Sequence, residues 1–497
     1  MVATSRPNLL YIHSDQHNPY VTGCYGDPIV QTPNLDRLAA NGVVFENTYC
    51  PSPICVPSRM SMLTGQHPYQ NEVWTNDQML HSGIPTLAHA MGAGGYTPVL
   101  IGRMHAMGPD QLHGYAERLV GDHTENYIGS ARSVDRGILN GTAGPERVSL
   151  ERSGSGQMAY QVHDEYVTAA TVDYLNQLGV RKRAGEAMDP FSLSVGLMCP
   201  HPPYVARKED FDLYKDTISM PRKPRAYEDE THPHFRWWRE DTGSTDVSDE
   251  EVHRARAAYW GLVTRVDAMI GQMLDALRDN DFLENTLIIY TSDHGDMLGE
   301  HGLWWKHVFY EESVKVPLIV SWPGVIEAGQ RCENVVSALD VNATILDALG
   351  APALPSSSGR SFLPLINGSG QTDWDDVAFS EYCQYQYCPD GGCYQRMIRD
   401  GYWKLIYYHG QPPQLFNLAD DPDEFVDRAS DLDCQDIVET LTTRILDGWD
   451  PEKITATIQA MRANNDILKA WAKNTNPPDI IRWELKPEMN YLDDWDG

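Results

Sequence analysis

The chain has 497 residues, 41% of them hydrophobic and 22% charged, which is enough for a buried core larger than one ordinary domain needs. Its 39 basic and 70 acidic side chains leave a net charge of −31. That field repels nucleic acid and anionic membrane, so neither is expected as a partner, and any anion site must bring its own positive charge.

The opening MVATSRPNLLYIHSDQ has no apolar leader core, and no stretch approaches the roughly 18 apolar residues of a membrane span, so a soluble cytoplasmic protein is expected. Asn8 to His13 reads as a buried strand ending in Ser14-Asp15-Gln16. Leu35 to Ala40 reads as a short helix before the strand VVFENTY. Residues 52–65, SPICVPSRMSMLTG, read as a strand-to-helix turn. Pro57 in the first helical turn places Cys55 at a helix N-terminus, where backbone N–H groups favour an anion. A thiolate nucleophile needs a base beside it, yet this stretch supplies Arg59, which is suited to holding charge. Nine cysteines, an odd number, argue against a disulfide framework.

Tyr96 to Ile101 reads as a strand broken by Gly102 and followed by Arg103-Met104-His105. Phe191 to Leu197 is another, ended by Cys-Pro-His201-Pro-Pro. After Ser248 a helix begins. Val252, Ala255, Tyr259, Leu262, Val266, Met269, Met273 and Leu277 form its buried stripe. Thr286 to Tyr290 is a strand that runs into Ser292-Asp293-His294-Gly295-Asp296, and VPLIVSWPG, from Val316, is one more. Alternating strands and helices predict an α/β sandwich with its ligand site beyond the strand ends. Two acidic loops at strand ends, distant in sequence, can converge on one hard divalent cation.

Past about residue 366 the texture changes. FSEYCQYQY, YQRMIRDGYWKLIYY and PQLFNLADDPDEF predict a small antiparallel sheet, followed by one helix near Asp436 to Gly448. The expected division is 1–368, 376–473 and a tail, 474–497, that packs on the body or on another subunit. Cys383, Cys388 and Cys393 are spaced five apart without a fourth ligand, which argues against zinc. His232-Pro-His234-Phe-Arg-Trp-Trp reads as a surface loop, with a pocket border as the alternative. The Tyr-rich run from Tyr382 to Tyr394 reads as sheet packing.

Cys55-Val56-Pro57-Ser58-Arg59 with Leu63-Thr64-Gly65 resembles the signature of the type I sulfatases of the alkaline-phosphatase superfamily, with Val56 where a small residue is usual. Gly95-Tyr96-Thr97 to Gly102-Arg103-Met104-His105 resembles the second signature, with Arg103 in place of a lysine. Gly108 to Gly114 resembles the choline-sulfatase branch, and Phe416-Asn417-Leu418 to Glu424 a C-terminal motif. The resemblance implies a large, mostly parallel mixed sheet between helices, plus a smaller C-terminal domain with an antiparallel sheet and a helix. It implies that a formylglycine-generating or anaerobic maturation enzyme converts Cys55 to formylglycine, whose diol attacks a small sulfate ester and forms a hemisulfate. Asp15, Gln16, Asp293, His294 and the Cys55-derived oxygen are the implied metal ligands. One divalent cation is implied, calcium first, while the ring nitrogen of His294 shifts the preference towards manganese or magnesium. Arg59 and Arg103 would neutralise sulfate, Asn76 would contact it, His105 would break the intermediate, and His201 with Lys306 would stabilise the leaving oxygen. Aryl, choline-like alkyl and sugar sulfates all remain as substrates. The Asp-Gln and Asp-His pairing looks like that of choline sulfatases and phosphonate monoester hydrolases, although the phosphonate branch favours Tyr and Thr where Arg103 and His105 stand. A binding protein with unmodified Cys55 is the reading from another class. Relatives make a dimer or tetramer possible.

Overall fold

The computed structural model describes residues 6–130, 134–368, 373–385 and 392–493. The first strand, Asn8–Asp15, is buried along its whole length, as its unbroken apolar run requires for a strand covered on both faces. It lies parallel between Ser192–Pro200 and Thr286–Ser292, with Tyr11 opposite both Ser194 and Ile289. The full sheet runs in space Gln330–Ser337, Val43–Tyr49, Leu318–Ser321, Thr286–Ser292, Asn8–Asp15, Ser192–Pro200, Pro98–Gly102, Glu117–Arg118. Leu318–Ser321, inside the VPLIVSWPG segment, is antiparallel to both its neighbours, and the other pairings in the sheet are parallel.

Side-chain alternation divides the core into two layers. Leu10, Ile12, Ile288 and Tyr290 face the layer that holds Asp249–Asp279. Leu9, Tyr11, Leu287 and Ile289 face the layer that holds Cys55–Thr64 and Ala338–Leu349. The helix Asp249–Asp279 starts in a capping box, Ser248 with Glu251, and buries the predicted stripe.

The predicted C-terminal sheet is present: Val377–Gln384, Cys393–Asp400, Trp403–Tyr408 and Gln414–Asn417 form an antiparallel meander. Tyr382 and Tyr394 are buried in it. Cys383 and Cys393 lie on its first two strands, and Cys388 is outside the described residues. The meander is stapled to the larger body by a closed set of charges. Lys404 Nζ donates to Glu311 at 2.9 Å and to Glu424 at 2.6 Å. Glu424 also accepts from the Glu311 backbone N–H at 2.8 Å, and Lys223 Nζ donates to Glu312 at 2.7 Å.

Two expectations need correction. The C-terminal region holds two helices: Gln435–Leu446 is followed by Pro451–Thr475, capped by Asp450 with Pro451 in its first turn. The second escapes a periodicity reading because its stripe is sparse, burying Ile454, Ile458, Asn465 and Ala472 while Ile467 stays 70% exposed. His232 and His234 are not in a surface loop. His234 lies on the helix Pro233–Asp241, His232 caps it, and both are buried. His234 meets Gln395 of the meander at 3.1 Å, so tertiary contact buries a segment whose polar composition suggests a surface. Within the body, Ala159–Arg183 is a 25-residue helix.

The described part of the tail packs on the body of its own chain. Trp483 N–H donates to the Asp122 carbonyl and Arg482 Nε to the His123 carbonyl, both at 2.8 Å, and Tyr491–Leu492 pairs with the strand Gly154–Gln157.

Candidate active site

Four adjacent parallel strands end on one edge of the sheet, and each delivers polar groups there. Asn8–Asp15 carries Asp15 and then Gln16; Thr286–Ser292 leads into Asp293 and His294. Pro98–Gly102 leads into Arg103 and His105, and Ser192–Pro200 into His201. The helix Cys55–Thr64 approaches the same edge with its N-terminus, so Cys55 faces the converging loops.

Single donor atoms of Asp15, Cys55, Asp293 and His294 lie within 4.8 Å of one another, and all four residues are buried. Cys55 Sγ is 3.2 Å from His294 Nε2 and 3.7 Å from Asp15 Oδ1. Lys306 Nζ bridges the cluster, 3.1 Å from Cys55 Sγ and 2.7 Å from the Gln16 side-chain oxygen. Gln16 sits at φ 66° and its backbone N–H donates to Asp293 at 3.0 Å. Positive φ is costly for a residue with a Cβ, and this hydrogen bond helps hold it there. Carboxylate, amide and imidazole donors at this spacing fit a divalent cation.

Burial disfavours charge on Asp15, yet Arg103 and Arg59 outweigh it and hold the carboxyl well below its usual range. Arg59 Nε donates to Asp293 at 2.8 Å and Nη2 to Asp15 at 3.1 Å, while Nη1 meets His13 Nδ1 at 2.8 Å. This guanidinium therefore clamps both carboxylates from behind. Arg103 Nε donates to Asp15, Nη1 to Asp122 at 3.2 Å, and Nη2 meets His105 Nδ1 at 2.8 Å. Burial, then the Arg103 charge, depress His105 far below the ordinary imidazole value. Burial and the Lys306 ammonium do the same to His201, and burial lowers His294 to about 4. All three are neutral bases at pH 7. Burial and the Asp15 charge push the Cys55 thiol up to about 11, against the pull of Lys306.

Cys55, Asn76, Arg103, His105, His201 and Lys306 line a cavity of about 480 Å³. Asn76 lies at its edge and accepts from the Val56 backbone N–H at 3.0 Å, so it caps the Cys55 helix. Reading the sequence missed the residues behind these. Asp122 holds Arg103 and accepts from the His105 backbone N–H at 3.0 Å. Asp164 accepts from the backbone of Met198 and Cys199 and so fixes the loop that carries His201. Asp296 accepts from Gln16 Nε2 at 2.6 Å and from Tyr204 at 2.7 Å. Asp122, in Gly-Asp-His after a strand, had a local signal; Asp164, inside a helix, had none.

A family model described as sulfatase matches residues 7–351, well over half the chain. This chain belongs to the sulfatase family. A second model, N-sulphoglucosamine sulphohydrolase, C-terminal, matches residues 299–449. The sulfatase is 33% identical over 490 residues to a choline-sulfatase of Rhizobium meliloti, covering 95% of this chain and 93% of that one. It is 29% identical to arylsulfatase K of Danio rerio, covering 88% and 83%. Among solved structures, the phosphonate monoester hydrolase of Agrobacterium radiobacter superposes with a TM-score of 0.73 at 25% identity, covering 89% and 95%. Family and fold together make this a sulfatase-type hydrolytic enzyme of the alkaline-phosphatase superfamily.

Proposed function

We propose that this sulfatase hydrolyses sulfate monoesters through a formylglycine made from Cys55, with a covalent hemisulfate on the way. The observation that carries the reading is the position of Cys55. It stands at a helix N-terminus, 3.2 Å from His294 and 3.1 Å from Lys306, with two clamped carboxylates beside it. A thiol raised to about 11 is a poor thiolate nucleophile, and that supports a precursor role.

Asp15, Gln16, Asp293 and His294 would hold a divalent cation, calcium by the family's pattern, which supplies Lewis-acid neutralisation of sulfate oxygens and of the attacking oxygen. Lys306 brings positive charge to the cavity wall that faces the ester, and Arg103 lines the same wall paired with Asp15 and Asp122. Arg59 holds the two carboxylates aligned. Lys306 donates a proton to the departing oxygen, and neutral His201, whose Nδ1–H is held by the Pro202 carbonyl at 2.6 Å, accepts a hydrogen bond from the alcohol so formed. Neutral His105, oriented by Arg103 Nη2, takes the proton from the second hydroxyl so that sulfate leaves and the aldehyde returns.

A turnover panel of aryl, choline and sugar sulfates beside phosphonate monoesters tests this, with intact mass and metal content measured on the same sample. Sulfate turnover by protein that has lost the thiol mass is the expected result. Turnover by protein with intact Cys55 sinks the mechanism. A second reading, phosphonate monoester hydrolysis at the same site, is favoured by the likeness to the Agrobacterium enzyme. Faster phosphonate than sulfate turnover would select it.

A further inference from the structure

We infer that Arg136 forms an anion subsite in the substrate cavity, so that the ester this enzyme prefers carries a second anionic group, a carboxylate or a further sulfate. The inference rests on the sulfatase reading above and extends it to the leaving group.

Among the described residues, three side chains with fixed positive charge line the cavity: Arg103, Lys306 and Arg136. Arg103 is neutralised by Asp15 and Asp122, and Lys306 faces Gln16 and Cys55 at the reacting end. Arg136 differs from both. Its hydrogen bonds among the described residues run from Nη2 to the Tyr160 hydroxyl at 2.9 Å and to His123 Nε2 at 3.1 Å. His123 Nδ1 meets Asp122 at 3.0 Å, which places the ring proton on Nδ1 and leaves Nε2 to accept from Arg136. Burial lowers His123 to about 3, so the ring stays neutral. Two neutral acceptors thus orient the guanidinium without cancelling its charge. Among the described residues it has no carboxylate partner, and its Nε–H is buried without a hydrogen bond.

The acidic groups on the cavity wall are committed elsewhere. Asp77 pairs with Lys469 at 3.4 Å, and Glu125 accepts from the Val134 backbone at 3.1 Å and lies 3.9 Å from Arg482. An uncompensated arginine on the wall of a substrate cavity, in a chain of net charge −31, is the local positive charge that a second anion requires. Tyr160 links it to the chemistry, since its ring meets that of His201 at 5.9 Å. The same geometry disfavours a quaternary ammonium. Among the described residues Tyr160 is the phenol ring on the cavity wall and no indole joins it there, and the Arg136 guanidinium already sits 5.6 Å over its face.

The test compares the wild type with Arg136→Gln and Arg136→Lys on a neutral aryl sulfate, its carboxylate-bearing analogue, an aryl disulfate and choline sulfate. The wild type should favour the anion-bearing esters over the neutral one by about 10- to 100-fold in kcat/KM, mainly through KM. Arg136→Gln should bring that ratio close to one, and Arg136→Lys should restore part of it. The two anionic esters separate a carboxylate preference from a sulfate preference. Calorimetry of the same esters with a Cys55→Ala protein needs no turnover and should show binding weakened about tenfold or more by Arg136→Gln. Equal affinity for neutral and anionic esters, preference for choline sulfate, or an unchanged ratio in Arg136→Gln overturns the subsite. Anion-selective binding to Cys55→Ala without sulfate turnover by the wild type would overturn the sulfatase reading instead.

Discussion

Two buried charge clusters sit within the body of this protein and have opposite designs. At the sheet edge, Asp15, Asp293, Arg59 and Arg103 pair with one another, but the pairing is open on one side. Cys55, Lys306, His105 and His201 face a cavity of about 480 Å³. At the junction with the C-terminal meander, Lys404, Glu311, Glu424, Lys223 and Glu312 close on themselves. There burial pushes Glu424 up to about 7, while Lys404 draws Glu311 down to about 2 despite burial. Both clusters carry the cost of desolvation. The first uses it to hold reactive groups at a cavity wall, the second to lock the meander onto the body.

That contrast can be broken by experiment, beginning where the effect is largest. Cys55→Ala should lower kcat by roughly four to six orders of magnitude, as removal of a nucleophile does, and leave the urea midpoint nearly unmoved. A large loss of stability would place Cys55 in the architecture rather than the chemistry. Lys306→Ala should cost about 10²- to 10⁴-fold in kcat, more for alkyl than for nitrophenyl esters, because a poor leaving group depends more on its proton donor. Equal losses across leaving groups would remove Lys306 from that role.

The junction should respond the other way. Lys404→Met leaves buried Glu424 without its ion pair and Glu311 with Lys315 at 3.7 Å, and should cost about 3–5 kcal/mol of stability, read by urea denaturation, with turnover per folded molecule held within about threefold. Chelation should abolish turnover and release one equivalent of divalent cation per chain. A second equivalent, lost on Glu312→Gln, would show that the junction also binds metal and would erase the contrast, since His301, Glu312 and Glu424 bring donor atoms within 4.8 Å of one another. In metal-free, unconverted protein, Cys55 should alkylate slowly at pH 7 and faster only as pH rises towards about 11, because burial keeps it a thiol. Fast alkylation at neutral pH would contradict that environment.

Much of the candidate site could be read from local pattern. Asp15 with Gln16 and Asp293 with His294 stand directly after apolar strands, and Cys55 precedes a proline in a helical first turn. The residues that orient these were hidden. Asp122 and Asp164 act across 19 and 34 residues of sequence, through a guanidinium and through a loop backbone. The helix Pro451–Thr475 was hidden for another reason: it packs along a thin line, so its period is faint.

Sequence alone placed the candidate site residues at the ends of particular strands, because strand periodicity and turn residues are local properties. Tertiary structure decided how charge is shared. It made Arg59 a clamp on two carboxylates, Arg103 a compensated neighbour of His105, and Arg136 a guanidinium held by neutral groups. Electrostatic energy depends on distance and burial in space, and neither is written in the order of residues along a chain.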